Sequence, residues 1–548
     1  MKILLINPQT SVFEMRANYD AHEDLALGLL AACLAERGHS TEIIDLRIDD
    51  FDEAEVGRYV SINGIRLVGL SVNFVTLPSA LRLARAIRQE HPAAVIAFGG
   101  EHASYQDDVL LTAYQNSIDV VVRGEGEASF TELADTLASE RDWHLVAGLS
   151  YLDPYTRVCV RTASRSAIEV LDDLPFADRS VVRRAIAKRR RIEIGILAQR
   201  GCPFPCSFCN ANRFLSNESV MAVRQRSALD VVEEMAGLAD LVAENRSFLR
   251  FYDATFVTQS RRNRVWINDF CAEIERHSLH VPFDVFVRAN SFDLDKSGDR
   301  ELIARLKSLG MISTYIGLES GSDDTLILYN KHVNASESER MFEYFRAQRM
   351  HGSTNGCMTF QQNSTLADIS KTVLFLHKLG LCSLWNCLSR AETLPGIKLE
   401  MHTHSRETCW DVYNYSFTDP RVAGLYAILH SVHANHCSIK LEDGLVRALR
   451  DRIRIESFYA PYATDWLSLE NALEARVSIM QATTCKFVLY LVDTAFSLSE
   501  DALKEAISCY LNELDQALDA LHASYGWVLS LPISASVMAR NNHAICVY

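Results

Sequence analysis

Hydrophobic and polar positions along the first part of the chain alternate between strand-like and helix-like periods. Residues 25–37 and 79–90 have apolar positions three and four apart, as amphipathic helices do, and Gly38 follows the first as a favoured C′ residue. Strands that alternate with helices predict βαβ units and a parallel, doubly wound sheet. The short apolar runs typical of buried strands are residues 2–7, 41–45, 67–72, 94–98 and 119–122.

Residues 145–161 have the pattern of a small hairpin, and residues 171–178 that of a linker. Further along, the alternation of strands and helices returns and predicts a partial (β/α)6 barrel. Beyond residue 400 the periodicity is helical, at 443–455, 467–481 and 499–522. The predicted fold class is therefore α/β. Its four parts are a Rossmann-like domain over 1–145, a hairpin and linker over 146–190, a barrel over 191–398, and a mostly helical domain over 399–548 that caps the barrel mouth.

Composition narrows the class of protein. The 548 residues are 48% hydrophobic and 23% charged, which is typical of a globular protein with an ample core. A net charge of −15 argues against nucleic acid as a partner, because phosphate binding requires basic patches. Met1 leads directly into an apolar strand without a signal peptide, and no apolar run is long enough to span a membrane. We therefore expect a cytoplasmic protein whose 14 cysteines are reduced.

Three of those cysteines follow the first predicted barrel strand in the stretch Q-R-G-C-P-F-P-C-S-F-C. Cys202, Cys206 and Cys209 have the spacing C-x3-C-x2-C. Three thiolates on one loop suit three irons of a [4Fe–4S] cluster and leave the fourth iron open to an external molecule. Three packed thiols and a zinc site are the alternatives. Zinc usually takes ligands from a second close pair, which this sequence lacks.

The predicted strand ends of the first domain carry glycines and polar residues. In a doubly wound sheet the ligand binds at the carboxyl ends of the strands, and glycines there let a large flat ligand approach the backbone. A dinucleotide is the alternative ligand, although the first loop lacks G-x-G-x-x-G. The strand-end residues are Pro8, Gln9, Ser71, Asn73, Gly99, Gly100, Glu101, His102, Gly124, Glu125 and Gly126.

Taken together, these motifs resemble the cobalamin-dependent radical S-adenosylmethionine (SAM) enzymes, in particular their class B methyltransferases. The matching stretches are the cysteine loop, A-L-G-L-L-A-A-C-L-A-E-R-G-H, G-G-E-H, R-G-E-G-E, G-L-E-S-G-S with a following N-K, and L-P-G at 394–396. The resemblance implies three cofactors: a [4Fe–4S] cluster on the three cysteines, SAM at its open iron, and cobalamin at the strand ends of the first domain.

The resemblance also assigns SAM contacts to residues at the barrel strand ends. Phe208 is expected beside the adenine, and Glu319 is expected to accept hydrogen bonds from the amine or the ribose. The fifth strand departs from the family, because T-F-Q-Q at 359–362 stands where G-x-P-G-E-T is common. The full set of expected SAM contacts is Phe208, Tyr252, Asp253, Arg288, Asn290, Glu319 and Ser320.

Two groups of histidines need an interpretation. Family members that bind cobalt through histidine carry D-x-H-x-x-G, whereas this chain has leucine at the last position of Asp20–Leu25. We therefore predict that His22 does not bind cobalt and that a strand-end side chain such as Asn73 lies under it. His430, His433 and His436 drift around a helix at three-residue steps, which favours packing over a metal site.

The function implied by the resemblance is C-methylation of an unactivated carbon in a small natural-product precursor. SAM cleavage by the reduced cluster would supply the radical, and an external one-electron reductant of the flavodoxin or ferredoxin type would supply the electron. Ring rearrangement or cyclisation without net methyl transfer is the first alternative. A non-catalytic cobalamin or cluster carrier, or a sensor, is the second.

Overall fold

The computed structural model describes residues 1–9, 21–214, 223–352, 356–399, 401, 403, 412–529 and 531. Over these residues the chain forms a first sheet, a second curled sheet and a set of long C-terminal helices. The predicted α/β fold class is confirmed, with a doubly wound domain followed by a half-barrel and a helical C-terminal part. No helix in the described part of the chain is both long and apolar enough to cross a membrane.

The first sheet contains the strands that the apolar runs predict. Its strands are β1 (Lys2–Asn7), β3 (Ser40–Asp45), β4 (Leu67–Ser71), β5 (Val95–Gly99), β6 (Val120–Val122), β7 (Leu149–Leu152) and β8 (Cys159–Arg161), with β2 (Ala21–His22) lying elsewhere. Its helices are α1 (Leu25–Glu36), α2 (Glu53–Asn63), α3 (Leu77–Glu90), α4 (Glu101–Tyr105), α5 (Asp107–Ala113) and α6 (Gly126–Ala138).

The strand order is β3-β1-β4-β5-β6-β7-β8, with the first five strands parallel and the β7–β8 hairpin antiparallel at one edge. The hairpin thus extends the sheet of the first domain. Gly69, in the middle of β4, makes room for a helix: a Cβ there would lie 2.8 Å from the Phe130 ring of α6. The absence of a side chain at this position lets α6 pack closely on the sheet.

The barrel part begins after a linker helix. Its strands are β9 (Ile192–Ile196), β10 (Gln199–Arg200), β11 (Arg224–Gln225), β12 (Leu249–Phe251), β13 (Phe283–Arg288), β14 (Met311–Glu319) and β15 (Gly356–Cys357). The linker helix is α7 (Ser180–Ala187), and the helices that follow are α8 (Ala211–Phe214), α9 (Ala228–Glu244), α10 (Arg261–Arg276), α11 (Ser297–Ser308), α12 (Asp323–Leu328), α13 (Ala335–Ala347), α14 (Leu366–Lys378) and α15 (Leu384–Leu388).

The curled sheet has the order β15-β14-β13-β12-β9-β2, and all of its strands are parallel. Two features differ from the prediction of six barrel strands in one continuous segment. β2 comes from the first domain and pairs with the start of β9, so the two domains share a sheet. The expected sixth strand is reduced, within the described residues, to an isolated bridge between Phe360 and Arg390.

The C-terminal helices are α16 (Pro420–Asn435), α17 (Cys437–Tyr459), α18 (Trp466–Thr494) and α19 (Glu500–Leu529). Helix α17 lies against the amino ends of the barrel strands. Arg447 Nη2 is 2.8 Å from Glu193 Oε1 at the start of β9, and Phe458 stacks on His280 just before β13, with ring centroids 4.2 Å apart. Helix α17 therefore lies at the end of the barrel opposite the mouth, and the capping of the mouth by the C-terminal domain stays a prediction. The buried carboxylate of Glu193, at the amino end of β9, forms ion pairs with Arg447 and Arg250.

The predicted packing of the histidines on α16 agrees with their contacts. His430 stacks on Tyr426 with centroids 5.8 Å apart, and His433 contacts the Trp385 ring at 5.2 Å. Cys409 and Cys546 lie outside the described residues.

Candidate functional site

The cysteine loop leaves the barrel at the carboxyl end of β9, whose five residues are all buried. Gly201 begins the loop with a φ of +93°, a conformation that glycine adopts without strain. Cys206 is buried, and Cys202 and Cys209 are half-buried. Burial raises the pKa of the Cys202 thiol and raises that of Cys209 to about 11, so these thiols need a strong positive partner to ionise.

Iron would be such a partner, and three separate thiols at one loop fit a cluster. Over the described residues, no three His, Cys, Asp or Glu side chains lie close enough to share a single metal ion. A cluster does not require that convergence, because each of its thiolates binds a different iron. Cys202, Cys206 and Cys209 are therefore the residues that would hold a [4Fe–4S] cluster.

Arg288, at the end of β13, holds the cysteine loop from across the barrel. Its Nη1 lies 3.0 Å from Cys206 Sγ, and its guanidinium stacks on the Phe204 ring with Cζ 3.9 Å from the centroid. Its Nη2 donates to the carbonyl oxygen of Lys331, and its Nε donates to Asn290 Oδ1 at 3.3 Å. Arg288 is thus placed to stabilise negative charge on the Cys206 sulfur atom.

A buried ion pair lies beside the loop at the end of β14. Lys331 Nζ is 2.6 Å from Glu319 Oε1, and both side chains are almost fully buried. Two glycines make room for the pair: a Cβ at Gly317 would lie 2.7 Å from Glu319 Oε1, and one at Gly356 would lie 3.4 Å from Oε2. Glu319 has a φ of +64°, which is strained for a residue with a side chain. An acid and an amine held side by side suit a zwitterionic ligand such as the amino-acid part of SAM.

The ring of Phe208 lies next to this pair. It packs edge-on against Tyr329 with centroids 5.2 Å apart, and Lys331 Nζ is 5.7 Å from the Phe208 centroid. The structure therefore brings together the cysteines, Phe208, Arg288, Asn290 and Glu319. Lys331 is a further charged member that the sequence placed only in the N-K motif.

Three other predicted SAM contacts have different surroundings. The Asp253 side chain faces the backbone: its Oδ1 accepts hydrogen bonds from the amides of Ala198 and Gln199, both at 2.9 Å. Burial raises the pKa of Asp253 to about 7 in spite of these two bonds. Ser320 Oγ lies 3.1 Å from Thr372 Oγ1 and caps the turn after β14. The side chains of Asp253 and Ser320 are thus bonded to neighbouring protein groups at the strand ends. Any contact of these two residues with SAM would therefore come from their main-chain atoms.

Tyr252 lies inside the barrel. Its ring crosses Gly195 of β9, where a Cβ would be 2.3 Å away. Its buried hydroxyl has no hydrogen-bond partner among the described residues. Burial raises the pKa of this hydroxyl far above its ordinary value, so it is a neutral donor.

The strand ends of the first domain form a glycine-lined cradle. Gly100 has a φ of +102° and its missing Cβ would lie 2.9 Å from the Val72 carbonyl oxygen. Gly124 has a φ of +71° and faces open space, with nothing within 4 Å of a Cβ built there. Such a bare surface at the carboxyl ends of β4, β5 and β6 fits a large flat ligand such as a corrin ring.

The other residues predicted to line this cradle differ in how exposed they are. Pro8 is buried and Gln9 is exposed at the end of β1, while Ser71 and Gly99 are half-buried. Asn73 is exposed, and its Oδ1 accepts from the amides of Val75 and Thr76, both at 3.0 Å. His102 is buried on α4, and Gly126 begins α6.

Two glutamates predicted as cobalamin contacts bond to residues beside the cysteine motif. Glu101 Oε1 accepts from Nδ2 of Asn210, the residue after Cys209. Glu125 Oε1 accepts from Arg200 at 2.9 Å and from Arg224 at 2.8 Å. Burial raises the pKa of Glu101, whereas for Glu125 the two arginines outweigh burial and lower it. Sequence reasoning missed Arg200 and Asn210, although both lie within two residues of the cysteine motif.

His22 lies at the other end of the barrel. It pairs with Glu193 in the β2–β9 ladder, and its Nδ1 is 2.7 Å from Glu193 Oε2. Glu193 is the second residue of β9, whereas the cysteine loop follows the last. Burial opposes ionisation of Glu193, but Arg250 and His22 keep its pKa well below the ordinary value. The imidazole is thus engaged with a carboxylate away from the cluster loop.

Comparison with known proteins agrees with the geometry of both domains. The family model described as the B12 binding domain matches residues 16–134, and the Radical SAM superfamily model matches residues 196–376. A methyltransferase of Pyrococcus horikoshii, named as uncharacterized, is 24% identical over 70% of this chain and 79% of its own length. An anaerobic magnesium-protoporphyrin IX monomethyl ester cyclase of Synechocystis is 22% identical over 64% of this chain and 67% of the cyclase.

Among solved structures, the cobalamin-dependent SAM radical enzyme OxsB with aqua-cobalamin bound has the same overall fold. The TM-score is 0.66 at 16% identity, and the match covers 94% of this chain and 84% of OxsB. The similarity therefore extends through the C-terminal helices and is not confined to the two domains that the family models match.

A half-barrel with three cysteines after its first strand defines a radical SAM protein. With a B12 binding domain joined to it, the chain belongs to the cobalamin-dependent radical SAM enzymes, whose cofactors are a [4Fe–4S] cluster, SAM and cobalamin.

Proposed function

We propose that the protein is a cobalamin-dependent C-methyltransferase that modifies an unactivated carbon of a small natural-product precursor. The observation that carries the proposal is the direct contact between the cobalamin-type cradle and the cysteine loop. Glu101 and Glu125, from turns beside the cradle, bond to residues that flank the cysteines. A methyl donor on one surface and a radical source on the other would therefore share one substrate.

The cofactors supply the difficult chemistry: the cluster and SAM together generate a carbon radical by one-electron cleavage, and cobalamin carries the methyl group. The chain's own residues bind and orient them. Cys202, Cys206 and Cys209 would hold the cluster, and Arg288 would balance negative charge on the Cys206 sulfur atom. Glu319 and Lys331 present an acceptor and a donor to the amino-acid part of SAM, in a buried setting that excludes water and strengthens both interactions.

Methyl transfer has more support than cyclisation. The methyltransferase of Pyrococcus horikoshii matches a larger share of this chain and of its own length than the Synechocystis cyclase does. Cyclisation remains the second candidate because the cyclase match covers 64% of this chain. In either case the cluster needs one electron from outside the chain, so we also propose a flavodoxin- or ferredoxin-type partner and a reducing, cytoplasmic setting.

Label transfer in cells distinguishes these functions. A host that expresses the protein is grown on methionine with a trideuterated methyl group, and its small molecules are compared with those of a host that expresses Cys206→Ala. A metabolite that gains the three deuterons only with the wild-type protein supports C-methylation. A new product without label indicates cyclisation or rearrangement and contradicts the proposal. Identical metabolite profiles in the two hosts contradict it as well.

A further inference from the structure

The amino-terminal end of the cysteine loop is bound to the first domain by ion pairs. Arg200, the residue before Gly201, is buried, and its two terminal nitrogens bond to two different carboxylates. Nη1 lies 2.9 Å from Glu125 Oε1, and Nη2 contacts Glu127 Oε1. Both glutamates belong to the turn and helix start after β6, where Gly124 borders the open cradle.

The carboxyl-terminal end of the loop is hydrogen-bonded to the turn that follows β5. Asn210 Nδ2 donates to Glu101 Oε1 and also to the Pro395 carbonyl oxygen at 3.0 Å. Glu101 begins α4, directly after the Gly99–Gly100 turn of β5. Tyr105 of the same helix packs so closely on Gly396 that a Cβ there would lie 2.6 Å from its ring.

The two contacts together restrict how the loop moves. Hydrogen bonds that involve a charged group are short and directional, and buried ones are the most costly to break. The loop between Arg200 and Asn210 is therefore anchored at both ends to two adjacent strand ends of the other domain. A displacement of either domain would have to leave a buried carboxylate without its partner.

We propose that Glu101 is a positioning residue which, with Glu125 and Glu127, locks the cysteine loop onto the turns that bind cobalamin. These glutamates thereby set the separation between the cluster and the cobalt. The anchoring itself is a property of the protein alone. Its consequence for catalysis rests on the proposed methyl transfer, so its test does not depend on any methylated product.

Hydrogen–deuterium exchange on the cofactor-free protein tests the anchoring first. In Glu101→Ala we expect the amides of residues 201–210 to exchange about tenfold faster than in the wild type, since one charge-assisted bond to the loop is lost. Glu101→Gln keeps an oxygen that accepts from Asn210 and should exchange at nearly the wild-type rate. Asp107→Asn is the matched control, because it weakens a buried carboxylate–arginine pair of the same domain, with Arg161, away from the loop.

Wild-type exchange in Glu101→Ala would overturn the proposal, and so would equal acceleration in Glu101→Gln. If Glu101→Ala does not fold, Glu127→Ala decides in its place, with faster exchange expected for residues 199–202 because Arg200 loses an acceptor, and unchanged exchange as the contradicting result.

Electron paramagnetic resonance on the loaded protein tests the consequence. The relaxation of the cobalt(II) signal is accelerated by a nearby reduced cluster, and this effect weakens steeply with distance. At matched iron and cobalamin content we expect at least a twofold smaller acceleration in Glu101→Ala, and a wild-type value in Glu101→Gln and Asp107→Asn. An unchanged acceleration in Glu101→Ala would show that the glutamate does not set the separation of the cofactors. A protein without methyltransferase activity gives the same readout, so the two proposals fail independently.

Discussion

Each cysteine of the loop has its own surroundings, and these surroundings decide what its loss should do. Cys206 is buried under Arg288, whereas Cys202 and Cys209 are half-buried. Cys509 is an exposed thiol on α19, far along the chain from the loop. The loop thiols are therefore expected to act as ligands, and Cys509 is expected to have no part in cofactor binding.

Replacing Cys206 by alanine should remove one of three thiolates, lower the iron content well below about four per chain, and abolish SAM cleavage. The same result is expected for Cys202→Ala and Cys209→Ala, with Cys509→Ala as the control that keeps full iron. Iron analysis and the yield of 5′-deoxyadenosine after reduction measure both effects. A triple variant with full iron and undiminished cleavage would show that the loop does not bind the cluster.

At the end of β14, Glu319→Ala should weaken SAM binding because the amine of SAM loses a buried, charged hydrogen-bond acceptor. A charge-assisted hydrogen bond contributes about 1.5–3 kcal/mol, which corresponds to a loss of about ten- to hundredfold in affinity. Iron and cobalamin content should not change. Equilibrium binding of SAM measures the loss, and Glu474→Ala, which removes a carboxylate paired with Arg450, is the control. Equal affinity in wild type and Glu319→Ala would place the SAM amine elsewhere.

The ionisation of the Asp253 side chain should make the stability of the protein depend on pH. Burial raises its pKa in the folded protein to about 7, from an ordinary value near 3.8. Between these values the folded state holds a proton that the unfolded state has released. Its stabilising effect is therefore complete at low pH and is lost as the pH rises towards 7. Asp253→Asn keeps an oxygen for the amides of Ala198 and Gln199 but cannot ionise.

The melting temperature of Asp253→Asn should therefore exceed that of the wild type by an amount that grows between pH 4 and pH 7. The corresponding gain in unfolding free energy is up to about 4 kcal/mol. Asp107→Asn should show the opposite sign at neutral pH: bonds from Arg161 and Ser150 outweigh burial and lower the pKa of Asp107, so its ionised form is stabilising. A pH-independent difference for Asp253→Asn would mean that the carboxyl group is ionised in the folded protein.

Strand β2 joins the first domain to the barrel, which the sequence pattern did not predict. It is two residues long and adds to the barrel sheet beside β9, with His22 bonded to Glu193. A buried network reinforces this joint: Arg179 of the linker pairs with Glu23 at 2.5 Å and with Glu234 of α9 at 2.7 Å. The domains are thus connected at the amino end of the barrel as well as at the cysteine loop.

This position of His22 leads to a spectroscopic prediction. In the cobalt(II) state the bound cobalamin should show no nitrogen superhyperfine splitting, and His22→Ala should leave the spectrum unchanged. The geometry favours this result because the imidazole nitrogen is already engaged by a buried carboxylate at the far end of β9. A nitrogen triplet that disappears in His22→Ala would make His22 a cobalt ligand.

Much of the element order could be predicted because local signals were strong. The five apolar runs of the first domain became β1, β3, β4, β5 and β6 with shifts of about one residue. Helix α2 was missed because it is more polar, although its start has a capping box between Asp52 and Glu55 and its end has Gly64 at a φ of +60°. Such caps act through side-chain geometry that a periodicity of apolar residues does not register.

The long-range arrangement was harder to predict. Neither the pairing of β2 with β9 nor the placement of α17 at the amino ends of the strands has a local signal. Both depend on buried charges that meet across hundreds of residues, such as Glu193 with Arg447. The cysteines and Glu319 were predictable from motifs, whereas the partners Arg200, Asn210 and Lys331 follow from packing. For the same reason, the carboxylates of Glu101 and Glu125 could not be recognised as loop anchors.

At the scale of the whole molecule, the turns of the proposed cobalamin cradle contact the cysteine loop, and helix α17 packs at the opposite end of the barrel. The barrel mouth is bordered by the first domain, and the segment after residue 411 approaches it through Asn414, whose Oδ1 accepts from Thr393 at 2.7 Å. On the proposed function, a substrate would lie between the cradle and the cysteine loop. This arrangement accounts for a reaction in which both cofactors act on the same small molecule.

The central claim is that this chain is a radical SAM enzyme with a functional cobalamin. Protein reconstituted with iron and sulfide, loaded with hydroxocobalamin and reduced under anaerobic conditions is incubated with SAM that carries a trideuterated methyl group. The account predicts that 5′-deoxyadenosine accumulates in the wild type and not in Cys206→Ala, and that the label appears in cobalamin extracted from the wild type. Intact SAM and unlabelled cobalamin, in protein with about four irons and one cobalamin per chain, would contradict it.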